Sequence, residues 1–206
     1  MAKNLQIAKG KALWAKVFEP DTKFDPNGIY SIDLIIPETE AQELCEYLDT
    51  VVQKRFDEEV KEYPKKKATL STKPPYEQDY DEDGNETGNL KFRFKLKAKG
   101  QTRDGREYEQ KPAVVDAKRK PITDEVSVGN GSVVKVAYEP IPYVMASTKQ
   151  VGVSLRMKAV QIIDLVEYGG GAASVFDDED GFEAEETTTP TTAFDDGDDD
   201  GVEGDF

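Results

Sequence analysis

Ten consecutive residues, Leu90–Lys99, alternate apolar and cationic side chains without a break. In an extended strand successive side chains point to opposite faces. Lys91, Arg93, Lys95, Lys97 and Lys99 therefore share one face, and Leu90, Phe92, Phe94, Leu96 and Ala98 share the other. At about 3.3 Å per residue the cations form a ladder roughly 26 Å long, with rungs about 6.6 Å apart. Like charges on one face repel, and an anionic polymer would offset that repulsion. The chemistry offered is electrostatic capture of a polyanion. The plainer alternative is the solvated outer face of a half-buried strand. Further cations follow at Lys118-Arg119-Lys120, and at Arg156 and Lys158 in a later apolar stretch.

The 206-residue chain carries a formal net charge of −15, which argues against a polyanion until its distribution is read. Residues 172–206 hold 14 acids and no Lys or Arg, leaving 28 acids and 27 bases in residues 1–171. Within that part, 38–63 has 9 acids and 3 bases, and 77–86 has 6 acids and no base. The remainder, 13 acids against 24 bases, is net +11. The sequence thus encodes a dipolar body and an acidic tail. With no His and one Cys, Cys45, the chain offers no disulfide framework, no Cys/His zinc site and no His-based acid–base catalysis. No metal, no cofactor and no enzymatic reaction are expected. No apolar run reaches membrane-spanning length, and the N-terminus does not resemble a signal peptide, so an intracellular, soluble protein is expected.

The elements that must position these cations can be read in order. A first strand is expected near Ala12–Phe18, with Trp14 central. Asp25-Pro26-Asn27-Gly28 is a turn, and Gly28–Pro37 is a second strand. Over 38–63 the apolar residues Ala41, Leu44, Leu48, Val51, Val52 and Phe56 recur at helical spacing. Thr39 and Gln42 suggest a capping box, and Pro64 stops the helix. Its acidic face is expected to lie away from the basic surface, and Cys45 falls on the apolar stripe. Lys65–Tyr80 reads as a stiff loop whose Lys73-Pro74-Pro75-Tyr76 presents a Tyr beside a cation. Asp79–Gly84 matches half of a calcium loop, but Leu90 stands where the bidentate Glu should be, so a turn is expected instead. The cationic strand then turns at Asp104-Gly105 and returns over Tyr108–Ala117. Ser132–Tyr138 and Gln150–Asp164 are two further strands, joined through Glu139–Tyr143, with a bulge expected around Val160–Ile163. Gly169-Gly170-Gly171 closes the folded part. The acidic, Thr-rich remainder, without Ile or Leu, has the composition of a disordered segment.

Short strands with one helix after the second indicate an all-β fold with one added helix. A five-stranded Greek-key barrel, the OB-fold, fits better than a sandwich. The expected organisation is an OB domain over 1–171 and a disordered acidic tail over 172–206. Such barrels bind single-stranded nucleic acid through a cationic groove and aromatic platforms. Trp14, Tyr76, Tyr108, Tyr138 and Tyr143 are the aromatics that could stand near the cations; Phe92 and Phe94 face the core by alternation. Tyr76 and Tyr143, beside prolines, stand out.

Several stretches are similar to the single-stranded-DNA-binding protein of short-tailed, lytic bacteriophages, in collinear order. They are Met1-Ala2-Lys3, Gly28–Pro37, Lys73–Glu77, Leu90–Phe94, Val114–Lys120, Val133–Tyr143, Val151–Tyr168, Gly169-Gly170-Gly171 and the terminal Gly204-Asp205-Phe206. The resemblance implies sequence-independent binding of single-stranded DNA in viral replication and recombination, strand annealing, a homodimer, and an infected bacterial cytoplasm. It also implies that the tail contacts the DNA polymerase and primase-helicase. At matching positions it points to Lys3, Lys73, Tyr76 and Tyr143 as DNA-facing. Lys73-Pro74-Pro75-Tyr76 has one proline more than the family pattern, and the tail lacks Trp.

The expected DNA site thus comprises Lys3, Trp14, Lys73, Tyr76, Lys91, Arg93, Lys95, Lys97, Tyr108, Lys118, Arg119, Lys120, Tyr143, Arg156 and Lys158. In the tail, Asp198, Asp199, Asp200, Glu203, Asp205 and Phe206 are the expected partner-binding end. Phe176, Phe182, Phe194 and Phe206 interleave with acids there, so the tail imitates single-stranded DNA and should compete for the groove. A rival reading, an acidic scaffold or chaperone for basic partners, accounts for the tail but leaves the cationic strand unexplained.

Overall fold

The computed structural model describes residues 5–167 apart from 103, 124 and 125, and among them no helix is long and apolar enough to cross a membrane. The chain enters through strand β1 (Gln6–Asp21), followed by β2 (Ile29–Pro37) and helix α1 (Glu38–Glu62). A 3₁₀ turn at Pro64–Lys66 leads to two short strands, β3 (Ser71–Lys73) and β4 (Tyr76–Tyr80). The cationic ladder lies on β5 (Glu86–Lys97), followed by β6 (Lys99–Gln101), β7 (Glu107–Glu109) and β8 (Ala113–Val115). Two long strands, β9 (Val133–Met145) and β10 (Gln150–Asp164), complete the order.

Five of these strands close on themselves. β1 pairs with β2 and β9, β2 with β5, β9 with β10, all antiparallel. A parallel pairing of β5 with β10, Leu155 opposite Phe94 and Arg156 opposite Lys95, shuts the ring. This is the OB barrel, closed by that short parallel pairing.

The inward positions of these strands are apolar. Phe92, Phe94, Ile32, Leu34, Val134, Val136, Leu155, Met157 and Val160 are buried together, each large side chain contributing about 1.5–3 kcal/mol relative to exposure. Tyr138 sits among them, edge-on to Phe94 at 5.1 Å between ring centroids, and is fully buried. It is a core residue and not a binding platform, because the period of β9 turns it inward. Helix α1 buries Ala41, Leu48 and Val52 and half-buries Cys45 against the barrel. Glu59, also buried, is held by Arg55 at 2.9 Å and Lys66 at 2.7 Å.

Several boundaries differ from the sequence expectation for identifiable reasons. β1 begins six residues before Ala12, because its early inward positions are the small residues Ala8 and Ala12, which give little hydrophobic signal. The helix begins at Glu38, directly after Pro37, so Thr39 lies inside the first turn and makes no cap, and Gln42 bonds Glu46 instead. The 65–80 segment contains β3 and β4, both at sheet edges, where the intervening Pro74 and Pro75 cost no ladder bond. The return strand expected over 108–117 is two pieces: β7 pairs with β6, and β8 pairs in parallel with β10. Glu139–Tyr143 is no connection but part of β9. Pro140 and Pro142 are accommodated because β1 pairs with β9 only as far as Tyr138, leaving that edge unpaired. The expected irregularity in β10 is present as register shifts at Lys158 and Ile163.

Candidate nucleic-acid interface

The outer face of β5 is the wall of a groove. Alternation holds along its length: Phe92, Phe94, Leu96 and Ala98 are buried, while Arg93, Lys95, Lys97 and Lys99 are exposed and Lys91 half-buried. The acids absent from the strand itself arrive from its neighbours. Lys91 pairs with Glu77 on β4 at 2.9 Å, Lys97 with Asp25 at 3.4 Å and Lys99 with Glu109 on β7 at 3.3 Å. Arg93 clasps Asp33 on β2 through Nε at 2.8 Å and Nη2 at 2.6 Å. Asp33 is buried, so this fork is a structural bond, and it raises the Arg93 pKa. Lys95 has no ion-pair partner among the described residues. Among the described residues the ladder is thus a mostly neutralised strand whose Lys95 rung is unpaired.

Register places Lys95 in a belt across the barrel. Lys16 on β1 lies opposite Ser31 on β2, Ser31 opposite Lys95, Lys95 opposite Arg156, and Arg156 opposite Glu139 on β9. Neighbouring strands are about 4.8 Å apart, so Lys95 and Arg156 concentrate positive charge at the closure. Arg156 and Lys158 share one acid, Glu139, at 3.9 and 3.5 Å.

Two cavities open on either side of Lys95 and share Arg93 and Lys95 in their walls. The first, about 420 Å³, is lined by Lys73, Pro74, Pro75, Tyr76 and Tyr143 above Val153, Ser154 and Leu155. Tyr76 leans on Phe92 with centroids 5.5 Å apart and donates its hydroxyl to Asp49 at 2.9 Å. Burial and that carboxylate raise its pKa well above the ordinary phenol. The acidic helix therefore touches the groove's rim at Asp49 and does not lie wholly away from it. Tyr143, on strand β9 and not in a loop, lies across Gly152, its direct cross-strand partner. A Cβ at Gly152 would stand 2.6 Å from the Tyr143 hydroxyl and 3.2 Å from the Lys73 carbonyl.

The second cavity, about 380 Å³, runs from Lys95 and Arg93 to Trp14 and Phe24. Trp14 sits in the irregularity of β1 between Leu13 and Lys16, with φ of 51° and its N–H donated to Asn130 at 2.9 Å. That left-handed backbone costs a bulky residue about 1–3 kcal/mol, and it turns the indole outward, 67% exposed. Phe24 is 88% exposed. Sequence reading missed it; the signal was an unsupported aromatic in the polar run Asp21-Thr22-Lys23-Phe24-Asp25.

The structure thus brings Trp14, Lys73, Tyr76, Lys91, Arg93, Lys95 and Tyr143 into one groove, with Arg156 and Lys158 beside it. Tyr108 is separate: it covers Gly100 at the far end of the ladder, in a cavity with Lys97, Lys99 and two glutamates. Lys118, Arg119 and Lys120 occupy the exposed loop after β8 and line neither cavity. Lys3 and the tail residues Asp198, Asp199, Asp200, Glu203, Asp205 and Phe206 lie outside the described residues.

A family profile described as the single-stranded DNA-binding protein of bacteriophage T7 matches residues 10–165. The chain is 30% identical over 154 residues to the single-stranded DNA-binding protein of Escherichia phage T7, covering 71% of this chain and 66% of that one. It is 28% identical over 164 residues to the counterpart from Enterobacteria phage T3, covering 75% and 70%. The match thus spans just under two thirds of the T7 relative's length. The crystal structure of gp2.5, a single-stranded DNA-binding protein encoded by bacteriophage T7, aligns with a TM-score of 0.66 at 26% identity, over 88% of this chain and 100% of that one.

Proposed function

The chain belongs to the family of the bacteriophage T7 single-stranded DNA-binding protein, and we propose that it binds single-stranded DNA without sequence preference. The observation that carries this reading is the position of Lys95: a cation with no ion-pair partner among the described residues, between Tyr76 and Tyr143 on one side and Trp14 and Phe24 on the other. Phosphates of a single strand neutralise Lys95 and Arg156, and bases stack on the aromatics to either side, each stack contributing about 1–3 kcal/mol. Phosphate also competes with Glu77, Asp25 and Glu109 for Lys91, Lys97 and Lys99, whose exposed ion pairs are worth at most about 1 kcal/mol. None of these contacts reads a base edge, which suits a protein that coats any sequence. A duplex hides its base faces and fits the groove poorly.

Finer parts of the proposal rest on sequence. Residues 172–206, acidic and studded with Phe, compete with DNA for the cations of 1–171. When DNA displaces them, they recruit the viral DNA polymerase and primase-helicase through the end containing Asp198, Asp199, Asp200, Glu203, Asp205 and Phe206. Strand annealing, a homodimer, a role without catalysis and a place in the host cytoplasm complete the reading. Lys3, Tyr108, Lys118, Arg119 and Lys120 are proposed as further DNA contacts.

Trp14 is the single tryptophan and stands in the groove, so its fluorescence reports occupancy. Titration with an oligothymidylate should quench it with a log–log salt slope near −3, as for about four neutralised phosphates. No quenching and no binding by a second method would sink the proposal.

A further inference from the structure

Two lysines face one another across the seam of β1 and β9: Lys9 and Lys135 are direct partners in the antiparallel register. Like charges placed directly opposite are destabilising. No acid lies within ion-pairing distance of either among the described residues. The pairing continues outward, Lys135 opposite Gln161 on β10 and Gln161 opposite Val115 on β8. The Gln161 amide donates to the carbonyls of Asp116 at 3.3 Å and Ala117 at 3.0 Å, which ties the loop after β8 to the same row. In that loop the Asp116 carboxylate accepts the backbone N–H groups of Lys118 and Lys120, both at 2.8 Å. The acid is thus engaged by the turn, while Lys118, Arg119 and Lys120 stay exposed. The next acid along β10 is Asp164, opposite Val133.

We propose that Lys9, Lys135 and the Lys118–Lys120 loop form a second phosphate-binding surface, engaged by the same single strand after it leaves the groove. Continuity favours this occupant. Ser154 lines the groove, and Arg156 and Lys158 carry the positive surface along β10 from there toward Gln161. Ser154 and Gln161 are seven steps apart along the strand, about 23 Å, so a strand filling only the groove would not reach the second surface. The proposal also accounts for the basic loop lying apart from the aromatics: it holds backbone and stacks nothing. It rests on the groove being a single-strand site.

The test uses the full chain and two variants, Lys9→Gln with Lys135→Gln, and Lys118→Gln with Lys120→Gln. Each is titrated with a trimer and a twenty-nucleotide oligothymidylate across a salt series. The trimer, too short to bridge the two surfaces, should bind as in the parent within about twofold. The longer oligonucleotide should bind each variant about fivefold to tenfold more weakly at low salt, with a slope shallower by about 1.4, two phosphate contacts at roughly 0.7 each. Unchanged affinity and slope for the longer strand would overturn the second surface while leaving the groove intact. Tighter binding would overturn it too, assigning the lysines to residues 172–206. Failure of the parent to bind either oligonucleotide would remove the groove reading itself. The Lys9/Lys135 variant loses a like-charge pair and should keep or raise its urea midpoint, which controls for folding.

Discussion

Lys95 on β5 and Arg156 on β10 are direct partners in the parallel pairing that closes the barrel, so two cations 61 positions apart stand side by side there, Lys95 in the groove wall and Arg156 next to it. Their neighbours on the ladder are already committed: Arg93 to buried Asp33, Lys91 to Glu77. The two classes of cation should answer differently to mutation. Lys95→Gln should weaken single-strand binding several-fold at low salt and reduce the salt slope by about 0.7, leaving stability unchanged. Arg93→Gln should instead destabilise by about 3 kcal/mol, because it strands a buried carboxylate. Urea unfolding and a salt-series titration of the two variants separate these outcomes.

Trp14 and Phe24 are held out of the core, at a backbone cost for Trp14, and they flank the cavity beyond Lys95. Phe24→Ala should leave the urea midpoint unchanged, since the ring is almost wholly exposed. If a base stacks on it, affinity should fall by about 1–3 kcal/mol, or roughly fivefold to 150-fold. Trp14 fluorescence still reads the titration in that variant.

Tyr143 depends on a missing side chain. Gly152→Ala puts a methyl group 2.6 Å from the Tyr143 hydroxyl, and the tyrosine must swing away. Binding should drop to the level of Tyr143→Ala, and adding the second substitution to the first should cost little more. Additive losses in this double-mutant cycle would contradict the dependence.

The pH profile follows from the groups present. The chain has no His, so affinity should be flat from about pH 6 to 9. Lys91 holds the Glu77 carboxyl below the usual range, chiefly through their hydrogen bond. The folded value lies below the unfolded one, so the pair's stabilisation is complete above the unfolded carboxylate pKa and is lost as pH falls through the folded value. Protonating Glu77 frees Lys91, so affinity should rise as pH falls through the folded Glu77 value, below the usual carboxylate range. Glu77→Gln should reproduce that rise at neutral pH, about twofold to threefold. Competition binding of a fluorescent oligonucleotide measures both.

Periodicity placed the β5 face correctly because alternate residues are apolar, and it located α1 from the helical spacing of its large apolar residues and β2 and the long run of β10 from their dense apolar residues. It shortened β1, whose inward positions Ala8 and Ala12 are small, and it lost the second half of β9 to Pro140 and Pro142. Only the pairing shows that these prolines stand where β1 has already left the edge. The cations of the site were legible as residues, but their availability was not. Asp33 and Glu77 are distant in sequence from Arg93 and Lys91, and which rung stays free is decided by strand register. Tyr138 and Tyr143 lie on one strand an odd number of residues apart, so alternation puts one ring in the core and the other in the groove. Phe24 carried no periodic signal at all, since it lies in the connection between β1 and β2, just before the Asp25–Gly28 turn.

The central claim is a single-strand groove built on Lys95, and comparative binding tests it most directly. Trp14 fluorescence is followed as a thirty-nucleotide oligothymidylate, and then a duplex of equal length, are added from 50 to 400 mM salt, with and without residues 172–206. The account predicts single-strand binding with a log–log slope near −3, far weaker duplex binding, and tighter low-salt affinity once the acidic segment is removed. Equal affinity for duplex and single strand, or no binding without that segment, would contradict it.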